Sequence, residues 1–105
     1  MGTVVRVYGS LETVRPKNKI YFELDEMKYL LGLPLSSTIQ IQGLKRDKMF
    51  LVCDEQPSPK RLSNKLADLK CRGQINGPIV GDVLFCSVEE VEDIELNSEE
   101  EFQDV

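Results

Sequence analysis

The segment that most restricts the fold of this chain is residues 79–86, which read Ile-Val-Gly-Asp-Val-Leu-Phe-Cys. Successive side chains of a strand point to opposite faces, so this segment is apolar on both faces apart from Asp82. Such a strand belongs in the interior of a sheet. A carboxylate at this position needs a hydrogen-bond donor, and we expect a structural bond from Asp82 to the backbone or to a lysine or arginine.

Four further strands are predicted from β-branched and alternating apolar residues. They cover residues 3–8, 19–24, 38–42 and 48–53. The last two are separated by a link short enough for a hairpin, which pairs them antiparallel. Residues 10–18 contain a proline and an asparagine, and this composition predicts a loop.

A short helix is predicted from Asp25 to Gly32, between the second and third strands. Its apolar stripe is formed by Met27, Leu30 and Leu31, at positions i, i+3 and i+4. Residues 87–90 have the spacing of a capping box and predict one last helical turn.

A second, longer helix is predicted between the fourth and fifth strands. Ser58-Pro59 is a favourable helix start, because proline at the first helical position lacks an N–H that would have no partner there. Gly73 is placed to end this helix. The apolar side of the helix is formed by Leu62, Leu66 and Leu69.

The predicted order is β-β-α-β-β-α-β, which indicates an α+β fold. We expect two layers, with a mainly antiparallel sheet of about five strands and both helices on one face. Residues 1–94 are predicted to form this single domain. Residues 95–105 are acidic and carry too few apolar residues for a core, so a disordered tail is expected.

Charge is unevenly distributed along the sequence. Residues 1–86 hold all 13 basic side chains and nine acidic ones, whereas residues 87–105 hold nine acids and no base. The net charges are therefore +4 and −9, in agreement with −5 for the whole chain. The two parts of the chain therefore have net charges of opposite sign, which suggests that partners are selected by charge. The acidic end could solubilise the protein, cover basic patches of its own chain, or dock on a basic partner.

Basic residues are grouped in two places, at the predicted hairpin tip and along one side of the second helix. Asp68 is spaced to pair with Arg72, so a salt-bridged, solvated surface is one interpretation. The functional interpretation is a surface that contacts an anionic ligand or an acidic partner. Aromatic residues lie mostly in predicted strands, which does not favour sequence-specific reading of nucleic acid. The candidate contact residues are Lys45, Arg46, Lys48, Arg61, Lys65 and Arg72.

No catalytic motif is visible, and the chain contains no histidine. We therefore expect a protein without enzymatic activity, cofactor or metal. A small metal-assisted hydrolase that uses Asp54, Glu55 and Asp82 is kept as an alternative. A candidate polar site comprises Asp54, Glu55, Asn64 and Asp82.

Three cysteines without zinc-ligand spacing indicate reduced, mostly buried thiols, and hence a cytoplasmic protein. No apolar run is long enough to span a membrane, so no membrane association is expected.

The chain contains four short motifs, at residues 27–32, 51–55, 64–67 and 79–84. Together they resemble a family of small domains of unknown function. These domains are encoded by phages, large algal DNA viruses and mobile elements. The similarity extends over about residues 20–86, but the loop at Gly32-Leu33-Pro34-Leu35 departs from the glycine-rich loop of the family. The resemblance implies a viral or mobile-element origin and no particular activity.

The leading hypothesis is a viral or mobile-element accessory protein, a non-enzymatic binding module. Its partner would be a host protein, another host macromolecule or an anionic ligand, held by the basic residues. The rival hypothesis is a self-assembling, homo-oligomeric protein that pairs through an edge strand such as residues 3–8.

Overall fold

The computed structural model describes residues 1–75 and 78–91. The predicted acidic tail, residues 95–105, and the end of the predicted domain lie outside the described residues. The described part has an α+β fold, and the predicted order of five strands and two helices is confirmed. The elements are β1 (Gly2–Val5), β2 (Leu11–Val14), α1 (Leu24–Leu30), β3 (Ile39–Leu44), β4 (Met49–Asp54), α2 (Lys65–Cys71), β5 (Val83–Ser87) and a 3-10 turn (Val88–Glu90).

The five strands form one antiparallel sheet in the order β2-β1-β5-β4-β3. The predicted interior position of the apolar strand is confirmed, since β5 lies between β1 and β4. The strand begins at Val83, however, so residues 79–82 of the predicted strand precede it, and Gly81 among them has a left-handed φ of 79°. The predicted β3–β4 hairpin is also confirmed. By contrast, β1 pairs with β2 on one side and β5 on the other, so residues 3–8 do not provide the edge strand expected for self-assembly.

The two helices contact opposite faces of the sheet, which corrects the prediction of both helices on one face. Neighbouring residues of each inner strand alternate between two separate clusters of buried side chains. Because helices cover both faces and exclude water from them, β4 and β5 are apolar up to their last residues, Asp54 and Ser87. The first cluster joins Met27 of α1 and Leu31, the C-cap of α1, to Val4, Phe50, Val52, Leu84 and Cys86. The second joins α2 residues Ala67 and Cys71 to Val5, Leu51, Cys53, Val83 and Phe85.

The second strand lies earlier in the chain than predicted. Residues Leu11–Val14 pair with β1, within the segment predicted to be a loop. Residues 19–24 form only a single bridge, from Phe22 to Val91. The left-handed φ of 69° at Lys19 interrupts extended backbone just before this bridge.

The second helix begins later than predicted from Ser58-Pro59. The Ser58 hydroxyl accepts the Lys60 N–H at 3.3 Å, which closes a turn at that point. The N-cap of α2 is instead Asn64, whose side chain accepts the Ala67 N–H.

The turn after β5 closes the described part of the chain. The Glu90 carboxylate accepts hydrogen bonds from the Ser87 N–H at 3.2 Å and the Ser87 hydroxyl at 3.1 Å, which confirms the predicted capping box. The same carboxylate forms an ion pair with the amino terminus of Met1. Neither α1 nor α2 is long and apolar enough to cross a bilayer, and no other described helix is.

Candidate binding site

Two leucines that were predicted on the apolar side of the second helix are exposed. Leu62 is 63% exposed and Leu69 is 72% exposed, whereas Ala67 and Cys71 are buried against the sheet. Ala67 and Cys71 are spaced one turn apart and are small, so they allow the helix to approach the sheet closely. The prediction chose the larger apolar side chains for the core, and that choice was wrong for Leu62 and Leu69.

The exposed leucines line an open groove between α2 and the turn that follows β1. Tyr8, at the tip of that turn, is 87% exposed. The groove has a volume of about 630 Å³. Adjacent exposed apolar side chains around a groove are typical of an interaction surface, whereas isolated exposed ones are common on any protein. The lining residues are Val7, Tyr8, Gly9, Leu62, Ser63, Lys65, Leu66 and Leu69.

Asn64 fixes the start of α2 beneath this groove. Its side-chain nitrogen donates to the carbonyl oxygens of Val5 and Gly81, both at 2.9 Å, and its side-chain oxygen accepts the Ala67 N–H at 3.1 Å. Asn64 is fully buried. Its polar atoms therefore serve the fold, and this residue of the predicted polar site does not face a ligand.

Two of the predicted contact residues lie at the same end of α2 as the groove. Lys65 is the first residue of α2 and lines the groove. Arg61 is exposed, and its guanidinium lies close to Gly81. Its Nη1 atom is 3.7 Å from the position that a Cβ atom on Gly81 would occupy. Lys65 therefore places positive charge at the border of the apolar groove, and Arg61 precedes the lining residues Leu62 and Ser63 in the chain.

The other four predicted contact residues lie at the opposite end of α2. Arg72 is the C-cap of α2, and its guanidinium pairs with Asp47 Oδ1 at 2.7 Å. Arg72 follows Lys65 by seven positions, which is about 10 Å along the helix axis. The six basic residues therefore do not form one continuous face. Lys45, Arg46 and Lys48 belong to the β3–β4 turn, together with Asp47.

This turn is attached to the segment after α2. Gln74 donates to Asp47 Oδ2 at 3.1 Å, and its side-chain oxygen accepts the Arg46 N–H at 3.1 Å. The predicted pair of Asp68 with Arg72 is wrong, because Asp68 Oδ1 accepts the Ile79 N–H at 3.2 Å. The local i, i+4 spacing did not reveal the acid that the tertiary fold brings to Arg72.

Asp82 has the structural role that its position in an apolar segment predicted. Its carboxylate accepts the Val7 N–H and an Arg6 N–H, both at 3.0 Å. Arg6 also donates twice to Glu12, at 2.8 and 3.0 Å, and once to the Leu30 carbonyl oxygen at 2.8 Å. The hydrogen bond between the Arg6 and Glu12 side chains raises the pKa of Arg6 and lowers the pKa of Glu12. Arg6 joins β1, β2 and α1 through these contacts, and it was not among the residues predicted from the sequence.

The remaining residues of the predicted polar site also have backbone partners. Asp54 Oδ1 accepts the Gln56 N–H at 3.0 Å, and the Glu55 N–H donates to the Thr38 carbonyl oxygen at 3.1 Å. Within residues 1–75 and 78–91, no three His, Cys, Asp or Glu side chains are gathered in a way that could hold a metal ion. The geometry of these carboxylates therefore offers no support for the hydrolase alternative.

The described residues form a small α+β fold with an open, mainly apolar groove that Lys65 borders. Comparison with protein-family models, curated protein sequences and solved structures found no match. The resemblance to viral and mobile-element domains therefore stays a prediction, and the proposed function is based on the groove itself.

Proposed function

We propose that this protein is a non-enzymatic binding module that holds a short acidic and apolar segment of a partner protein. The observation that supports this proposal is the groove beside α2, where Tyr8, Leu62 and Leu69 are exposed next to Lys65. The proposal retains the predicted binding role of Arg61 and Lys65. It moves the centre of the interface from the cations to the apolar side chains.

Burial of the exposed apolar side chains would supply most of the binding free energy. Covering apolar surface is worth about 25 cal/mol per Å², and aromatic residues are frequent sites of strong contribution in interfaces. The cations add orientation and selectivity. Exposed charge pairs contribute little affinity, but they favour an acidic partner over a basic one. A partner that carries leucine or phenylalanine together with aspartate or glutamate matches both features.

Nucleic acid is a weaker match to this surface. Phosphate contacts require several cations along one path, and the six predicted cations are divided between the two ends of α2. One of them, Arg72, already forms an ion pair with Asp47. Tyr8 could stack on a base, but the leucines beside it offer a base neither a stacking platform nor a hydrogen bond.

The proposal is tested by selection of short random peptides displayed on phage against the full-length protein at low surface density. Enriched peptides are expected to combine large apolar residues with Asp or Glu. Replacement of Leu69 by Lys should weaken their binding by about tenfold or more. Lys65→Glu should shift the selection away from acidic peptides.

Leu35→Lys is the matched control, because Leu35 is 65% exposed and does not line the groove. This variant should bind the selected peptides as the unaltered protein does. Equal binding to a Leu62→Lys/Leu69→Lys variant would refute the proposal. A second outcome would also refute it. The protein would bind an oligonucleotide in a salt-sensitive way, the Arg46→Ala/Lys48→Ala variant would lose this binding, and the groove variants would retain it.

A further inference from the structure

We infer that the groove of one copy of this protein binds the acidic carboxyl-terminal segment, residues 92–105, of a second copy. This inference rests on the proposed function and names the partner. The assembly would be head to tail, because the groove and the segment are different surfaces of the same chain.

The composition of residues 92–105 matches the chemistry of the groove. The segment contains seven acids and no base, and four apolar residues are distributed among the acids. Residues 1–91 hold 13 basic and 11 acidic side chains, so the remainder of the chain has the opposite net charge. The apolar residues of the segment are Ile94, Leu96, Phe102 and Val105.

The place where the segment leaves the domain favours a second copy as the source. The groove borders residues 7–9, which follow β1, and Val5 of β1 lies opposite Val83 at the start of β5. Val91 follows the other end of β5 and packs in the cluster that contains α1, on the face opposite to α2.

Within one chain, the segment would have to run along the sheet and around its edge to reach the groove. Fourteen fully extended residues span about 46–50 Å, and the molecule measures 33 × 29 × 24 Å. Crossing the molecule once along any of these dimensions takes up about half to two thirds of that length. A neighbouring copy can present the segment from any direction, without that constraint.

Two full-length variants test the inference by complementation. The groove variant is Leu62→Lys/Leu69→Lys, and the segment variant is Ile94→Ser/Leu96→Ser/Phe102→Ser. The mass in solution is measured by light scattering over a range of protein concentrations. The unaltered protein should increase in mass with concentration, and each variant alone should stay monomeric.

A mixture of the two variants should form a one-to-one complex and grow no further, because it retains one intact groove and one intact segment. A synthetic peptide of residues 92–105 should bind the segment variant and not the groove variant. Its affinity should fall as salt is raised to about 0.5 M, because the charge pairs are screened. Circular dichroism and thermal unfolding confirm that both variants are folded, as expected for changes at exposed or terminal positions.

A concentration-independent monomer, or a mixture that forms no complex, would overturn the inference. If the peptide binds the segment variant while the unaltered protein remains monomeric, the segment occupies its own groove and the second copy is rejected. If selected phage peptides bind the groove but the 92–105 peptide does not, the inference fails and the proposed function stands. If neither binds, both fail.

Discussion

Asn64 connects three backbone segments through one buried side chain. It donates to carbonyl oxygens at the end of β1 and just before β5, and it caps the first turn of α2. An asparagine is suited to this position because its amide offers two N–H donors and an acceptor in one planar group. This residue therefore determines where α2 starts and, through Ala67, which side of the helix faces the sheet.

Replacement of Asn64 by Ala should lower the free energy of unfolding by about 2–4 kcal/mol. The substitution leaves the Val5 and Gly81 carbonyl oxygens and the Ala67 N–H without their partner in a buried site. Chemical denaturation measures the effect. Asn18→Ala is the control, since Asn18 accepts two backbone N–H groups at an exposed position where water can replace it. Equal losses for the two variants would contradict the structural role of Asn64.

At the scale of single elements, the sequence was most informative where the pattern was apolar on both faces or strictly local. The interior strand β5, the β3–β4 hairpin and the capping box after β5 were all predicted from such patterns. The second strand was misplaced because the alternation in residues 19–24 resembles a strand. In the folded protein that segment begins with a left-handed residue, Lys19, and β1 pairs with residues 11–14 instead.

The turn after β5 makes the stability of that element dependent on pH. Burial alone would raise the pKa of Glu90, but hydrogen bonds from the amino terminus and from Ser87 together lower it below its ordinary value. A carboxylate with a lowered pKa in the folded state stabilises the protein above its unfolded pKa, about 4.5. That contribution is lost as the pH falls through the folded pKa.

Glu90→Gln should therefore reduce stability at neutral pH by about 1–2 kcal/mol and have little effect near pH 3. Thermal unfolding as a function of pH, on protein with an untagged amino terminus, measures this difference. The adjacent Glu89 is exposed, and Glu89→Gln serves as the control. If the loss of stability in Glu90→Gln is the same at acidic pH as at neutral pH, the charge of the carboxylate is not responsible for it.

At the scale of the whole molecule, the two covered sheet faces hide all three cysteines. Burial raises the pKa of Cys71 to about 11 and that of Cys86 to about 12. Burial also raises the pKa of Cys53. Since the thiolate is the reactive form, none of these thiols should react readily near neutral pH while the protein is folded.

Mass spectrometry after brief alkylation at about pH 8 should find no modified cysteine in the native protein and three after denaturation. A folded-state thiol pKa above the unfolded value gives full stabilisation below about pH 9, which declines as the pH rises further. Denaturation midpoints should accordingly decrease above that pH. Rapid alkylation of one cysteine in the native protein would show that its sheet face opens locally.

The sequence alone determined the α+β class, the interior position of the most apolar strand and the segregation of charge along the chain. These properties depend on composition and on local periodicity, which the linear order of residues contains. The tertiary structure alone decided that the helices cover opposite faces and that Leu62 and Leu69 point outward. Both outcomes depend on how closely Ala67 and Cys71 allow α2 to approach the sheet and on the anchor at Asn64. Helical spacing shows which apolar side chains share one side of a helix. Whether a given side chain is buried depends on its packing against a specific neighbour.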